Sequence, residues 1–166
     1  MGITIHSPNF FKDRKDPKTG IQYKPEVLFL HITDSGFWST KYTLENPNSQ
    51  VSYNWVVDTN GKWHNAVDEK HAPWSNGLMR NPTWKKLHNV NTNLYTISVG
   101  AVNFGNIPPY KQWGSWAKLC KEIIERHNIP LDKVHIINHR EVNNSKTCPS
   151  KYFNRWWLLI FVKYLI

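Results

Sequence analysis

The stretch HIINHREVNNSKTCPSKYF, residues 135–153, gathers histidine, lysine and cysteine into one short, mostly polar segment. The chain has eight histidines and only two cysteines, and Cys148 follows His139 within this segment. An imidazole at the end of an apolar run and a thiol in the loop beyond it can meet on one metal ion. The strand end fixes the direction of the first side chain, and the loop lets the second fold back. Catalytic zinc takes three protein ligands and keeps its fourth position for water. A third ligand is therefore expected at the end of another core strand. His31, inside the apolar FLHITDS, is the histidine that fits. Two neutral imidazoles and a thiolate would leave a divalent ion with a single net positive charge. No Cys-x-x-Cys pair, the usual mark of a structural zinc site, is present.

The remaining chemistry-bearing residues have weaker claims. His135 falls on the same face as His139 if the strand is regular, and reads as a hydrogen-bonded core residue. His64 belongs to a hairpin strand, and His6 and His88 read as surface residues. His71 opens the loop HAPWSNG, where a substrate contact and an ordinary loop histidine are equally good readings. Cys120 lies on an apolar helical stripe and reads as a small buried hydrophobe. Glu141 is expected to serve structurally, through a hydrogen bond or ion pair near Arg140, rather than as a general base. Several of the nine tryptophans stand in loop-like sequence, HAPWSNG and NPTWKK, where exposed rings can contact sugars or peptides. Packing on the domain's own surface is the slightly favoured reading for each of them alone.

These residues need elements to position them. EVLFLHITDS (26–35) is a short apolar run between Pro25 and Gly36, a buried strand carrying His31. QVSYNWVVDTNGKWHNAV (50–67) reads as strand, turn and strand about Asn60-Gly61. Residues 68–93 read as a long loop, and LYTISVGAV (94–102) as a further strand. Over residues 111–127, Trp113, Trp116, Ala117, Cys120, Ile123, Ile124 and His127 repeat at helical spacing, and Asn128 and Pro130 end that helix. KVHIIN (133–138) is a short strand, and YFNRWWLLIFVKYL a closing helix. Residues 1–25 read as an irregular lead-in. The order predicts an α/β fold: a single domain over 1–166 with a central mixed β-sheet flanked by helices.

Bulk properties narrow the partner class. At 166 residues with 40% hydrophobic content, the chain can bury a real core and is not disordered. The net charge of +9 is spread without a basic block, which favours an anionic surface and sets salt dependence without naming a target. Nucleic acid is excluded as the expected partner, because no basic cluster with interleaved aromatics is present. Two cysteines in unlike contexts do not make a disulfide framework. The apolar end WWLLIFVKYLI contains Lys163 and is too short to span a bilayer, so it reads as a core helix, with membrane-surface contact as the alternative.

Taken in order, FLHITDS, VSYNWVVDTNGKWH and NHREVNNSKTCPS resemble the three signature regions of the type 2 N-acetylmuramoyl-L-alanine amidases, over residues 27 to 157. That family includes phage lysozyme-type amidases and peptidoglycan recognition proteins. The resemblance implies zinc-dependent hydrolysis of the amide between N-acetylmuramic acid and L-alanine in bacterial peptidoglycan. It implies one zinc ion on His31, His139 and Cys148, and a catalytic pair, Tyr53 and Lys146. His71 falls where many members have a histidine in the substrate cleft. With Asn54 of the Tyr-Asn-aromatic motif and Trp74 of the same loop, it makes up the expected substrate-binding set. The strand NLYTISVGAVNFG is looser than the family's Ser-Ile-Gly type. The alternative function is a recognition module that binds peptidoglycan without cutting it. Non-catalytic members lack the cysteine ligand, so Cys148 argues for an enzyme. No separate wall-binding domain is expected, and the positive charge is expected to hold a monomer on anionic wall polymers. MGITIHSPNFFKDRKDPKTG contains no secretory signal. A phage endolysin with this sequence would wait in the host cytoplasm until a separate holin releases it to the wall.

Overall fold

The computed structural model of the chain describes residues 2–84, 90–153 and 155–165. In chain order the elements are β1 (Phe10–Phe11), β2 (Val27–Ile32), α1 (Phe37–Glu45), β3 (Trp55–Val57), β4 (Trp63–Asn65), β5 (Ala72–Pro73), β6 (Thr96–Ala101), α2 (Tyr110–His127), β7 (Ile136–Asn138) and α3 (Arg155–Leu165). Five of the strands form one mixed sheet in the order β4-β3-β6-β2-β7. Only the β3–β4 hairpin is antiparallel; the other neighbours run parallel. The predicted α/β fold with a central mixed sheet is the observed one.

The interior strands are those whose sequences are apolar without alternation. VLFLHI of β2 and TISVGA of β6 are buried along almost their whole length, as parallel strands covered on both faces must be. On one face, Trp116, Leu119, Cys120 and Ile123 of α2 join Leu158 and Val162 of α3 and Phe153 against the sheet. Cys120 is therefore a core residue, as its stripe position predicted. Asn128 ends α2 in the left-handed conformation at φ 52°, and its N–H bonds the carbonyls of Ile124 and Glu125. In the hairpin turn, the Asp58 carboxylate accepts the N–H groups of Asn60 and Lys62, both at 2.9 Å. Gly61 sits at φ 80°, and a Cβ there would lie 2.6 Å from the Lys111 carbonyl. Only glycine lets the turn approach α2 so closely. No helix among the described residues is long and apolar enough to cross a membrane.

Several expectations are corrected. The lead-in is largely without regular structure, yet it is packed. Ile5 is buried, β1 pairs with β5, and the guanidinium of Arg14 donates to the carbonyls of Glu69, His71, Asn93, Leu94 and Thr96. Burial pushes the Arg14 guanidinium down to about 10, opposed by the charge of Glu69. His135 precedes β7 and bonds Asp132 at 2.8 Å, half-buried, so it is not on the ligand face. Trp84, of NPTWKK, packs on the domain itself, the reading the sequence favoured: it is buried and donates its indole N–H to the Val134 carbonyl at 2.8 Å. Helix α1 was not legible, because Thr40 and Leu44 are its only buried residues and give no helical stripe. His6 is exposed, His64 is buried on β4, and His88 lies outside the described residues.

Candidate metal centre and its cleft

His31 is near the end of β2, and His139 follows β7 directly, so adjacent parallel strands deliver both rings to the same edge of the sheet. The His31 and His139 ring centroids are 4.7 Å apart. Cys148 Sγ lies 3.7 Å from His31 Nδ1. One ligand atom from each of the three residues falls within 4.8 Å of the others. The set predicted from the sequence is thus assembled in space.

Local bonds hold each member. The Ile32 N–H donates to Cys148 Sγ at 3.2 Å, and the Arg140 N–H donates to the Cys148 carbonyl at 2.9 Å. His139 begins a single 3₁₀ turn closed by a capping box. The Glu141 carboxylate accepts the Asn138 N–H at 2.8 Å, while Asn138 accepts an N–H within the turn. Arg155 Nη1 then reaches Glu141 at 2.7 Å. Glu141 is structural, as expected, with a hydrogen bond from the nearby Asn138 N–H and an ion pair to Arg155 from the closing helix. His139 Nε2 lies 3.2 Å from the Asn76 carbonyl. That contact places the proton on Nε2 and leaves Nδ1 with its lone pair, the usual outer support of a metal-binding imidazole.

The electrostatics suit neutral imidazoles. Burial, and then the adjacent His139, hold His31 well below the ordinary imidazole range. Burial pushes His139 down to about 4, against the Asn76 contact. Burial pushes the Cys148 thiol up to about 11, opposed by the Ile32 N–H and by Arg140 and Lys146. A divalent cation would displace that proton. Nδ1 of His31 faces Cys148 Sγ at 3.7 Å, Nδ1 of His139 keeps its lone pair, and this His–His–Cys donor set fits a zinc ion.

The cluster opens into a cleft of about 920 Å³ whose lining includes Tyr53, Trp74, His139, Lys146 and Cys148. The Tyr53 ring stands 5.0 Å from that of His31. Burial, with Cys148 nearby, raises the Tyr53 phenol above its usual value, so it stays protonated and can donate. Lys146 is exposed on the loop that carries Cys148. Of the expected substrate contacts, Trp74 lines the cleft. Asn54 does not: it is fully buried, accepting the Ser98 N–H and donating to the Val67 carbonyl, so its position in the motif reflects sheet assembly. His71 also lies outside the lining, because its ring stacks on Phe10 at 4.8 Å and its Nδ1 bonds the Lys12 carbonyl. Sequence reasoning missed Asn76 and Arg155, which support the ligands from a loop and from the closing helix. Neither stands in a pattern that could have exposed it.

A buried His–His–Cys cluster beneath an open polar cleft defines the class: a candidate metallohydrolase on an α/β scaffold. Residues 21–151 match the family described as N-acetylmuramoyl-L-alanine amidase, and the chain belongs to that family. Among solved structures it is similar to an AmpD derivative, with TM-score 0.72 and 16% identity over 97% of this chain and 93% of the other. It is also similar to a mutant of PlyL, with TM-score 0.69 and 21% identity over 98% and 99%. A third similarity is to AmiD from E. coli in complex with anhydro-N-acetylmuramic acid-L-Ala-D-gamma-Glu-L-Lys, with TM-score 0.71 and 20% identity over 93% of this chain and 66% of that one. At these identities the likeness is one of fold. No curated protein matches the sequence. Family membership makes this an enzyme that hydrolyses the amide between N-acetylmuramic acid and L-alanine of peptidoglycan.

Proposed function

We propose that the amidase works with one zinc ion held by His31, His139 and Cys148, and that it serves as a phage endolysin. The observation that carries the zinc reading is the convergence of His31, His139 and Cys148 at the cleft floor, one ligand atom of each within 4.8 Å of the others. Zinc at such a site supplies a Lewis acid and lowers the pKa of water from about 16 to about 7.

The chain's own groups do the rest. Lys146 projects from the Cys148 loop into the cleft lining and offers its ammonium to the carbonyl oxygen as that oxygen gains negative charge. The Tyr53 hydroxyl, kept protonated by burial, orients the attacking water or passes a proton toward the leaving amine. The two strand ends hold both imidazoles neutral and fixed, and the Asn76 carbonyl holds the tautomer of His139. The endolysin role is supported by similarity to structures described as endolysins, one of them a mutant from Bacillus subtilis, with TM-score 0.67 and 19% identity over 98% of this chain and 99% of the other. A monomer drawn to anionic wall polymers by its +9 charge, and held in the host cytoplasm until release, completes the reading.

The test is metal analysis joined to digestion of purified peptidoglycan. One zinc per chain, with chelator-sensitive release of L-alanine amino termini and no new reducing ends, is the expected result. Zinc without release would favour a recognition module, and absence of zinc would remove the metal assignment. For the endolysin role, expression with a pore-forming holin should lyse the host, and expression alone should not.

A further inference from the structure

The substrate of this family is a polymer, so the glycan strand must leave the cleft across the protein surface. Lys151 lines the cleft and also a neighbouring groove of about 760 Å³. Ile107, Tyr110, Trp113, Tyr152 and Trp157 wall that groove, between the start of α2 and the start of α3. Trp113 is held in place: its indole N–H donates to the Tyr152 carbonyl at 3.1 Å, and its ring meets Phe161 edge-on at 4.5 Å. Tyr110 and Trp157 are 86% and 56% exposed. A fixed aromatic floor with two exposed rings beside the cleft is the kind of apolar patch that marks a binding surface.

At Gly77 and Leu78 the cleft adjoins a different groove, lined also by Lys18, Asn91 and Thr92. That groove is mixed, with Phe11, Met79 and Val90 beside Asp16 and Lys18, and holds no exposed aromatic pair among the described residues. The aromatic groove suits a sugar. Pyranose C–H faces bury apolar area on flat rings, and a lysine donates to hydroxyl and acetamido oxygens. Its continuity with the cleft through Lys151 favours a strand of the same substrate over an unrelated partner.

We propose that the groove walled by Tyr110, Trp113 and Trp157 is a glycan subsite, holding the sugars next to the N-acetylmuramic acid whose amide is cut. This rests on the amidase reading. The strand then runs from the metal centre toward α3, and the site prefers polymeric glycan to a lone muramoyl peptide.

The test compares wild type, Tyr110→Ala and Trp157→Ala on intact peptidoglycan and on N-acetylmuramoyl-L-alanyl-D-isoglutamine. Each substitution should lower the ratio of kcat/KM on polymer to kcat/KM on the small substrate by about tenfold, roughly one aromatic contact. Peptide-free glycan strands should inhibit wild type more strongly than either variant. An unchanged ratio in both variants, or equal loss on both substrates, overturns the subsite. So does loss of binding to phosphatidylglycerol vesicles with the ratio intact, which would assign the groove to a membrane surface. Failure of wild type to release L-alanine amino termini from either substrate would instead sink the amidase reading itself.

Discussion

Ile32 and Cys148, 116 residues apart in sequence, are joined by a backbone N–H donated to the thiol sulfur at 3.2 Å. The same sulfur faces the Ile32 carbonyl at 3.7 Å and His31 Nδ1 at 3.7 Å. The C-terminal loop is thus fastened to the end of β2 by the atom that would bind metal. Cys148→Ser should drop bound zinc from one per chain to near zero and reduce amide hydrolysis to background, because a hydroxyl does not ionise as a thiol does. Circular dichroism should show the sheet and helices retained. Full metal content and activity in this variant would mean that the ligand set is wrong.

Tyr53 and Lys146 line the same cleft without belonging to the cluster. Lys146→Ala is expected to keep zinc and lose about 10²–10³ in kcat, as for the loss of one oxyanion stabiliser. Tyr53→Phe should also keep zinc and lose about 10² in rate. Metal analysis beside steady-state kinetics separates these effects from loss of the ion.

Arg155 reaches Glu141 with both carboxylate oxygens within 2.9 Å, and its backbone N–H donates to Asn138 Oδ1 at 3.2 Å. Arg155→Met leaves the Glu141 carboxylate with fewer partners beside the His139 turn. Stability should fall by about 2 kcal/mol, measured by denaturant midpoint. Zinc affinity should weaken by about tenfold, read by competition with a chelator, since the outer support of a ligand is loosened.

Glu69 accepts hydrogen bonds from Trp55, Arg126 and His127. Desolvation opposes its ionisation, but the bonds from His127, Arg126 and Trp55 outweigh it and pull the carboxyl from 4.5 to about 2. The folded state therefore binds fewer protons than the unfolded state in this range. The stability contributed is complete above about pH 4.5 and is lost as pH falls toward 2. Melting temperatures of wild type should drop across this window, and those of Glu69→Gln should drop less. Parallel curves would show that Glu69 does not carry the acid sensitivity.

Release of zinc by a chelator should stop hydrolysis, and added zinc should restore it. Because an ion that binds the folded cluster stabilises the folded state, the metal-free protein should also melt at a lower temperature than the loaded one. Equal melting temperatures at saturating zinc would exclude binding at the buried cluster.

The sequence alone determined the elements whose period or composition is strong. The apolar runs of β2 and β6 could only be buried strands, and the stripe through Trp116, Cys120 and Ile123 could only be the inner face of a helix. It also picked out the three residues that the fold gathers into one cluster, because few side chains bind metal and few positions here combine such a side chain with a strand end. The tertiary structure decided what depends on neighbours distant in sequence. Asn54 and His71 carry polar groups of the kind that bind substrate. The fold instead turns Asn54 into the sheet and lays His71 on Phe10. A side chain's type limits what it can bond, but which partner is nearest is settled by packing. The same reason hid the Arg14 anchor, since its five carbonyl partners come from residues 69 to 96 and converge only in the folded chain. Asn76, from a loop, and Arg155, from the start of the closing helix, support His139 and its turn through contacts that no local pattern marks. Local sequence encodes the strands that carry the ligands, and long-range contact decides which groups hold them in place.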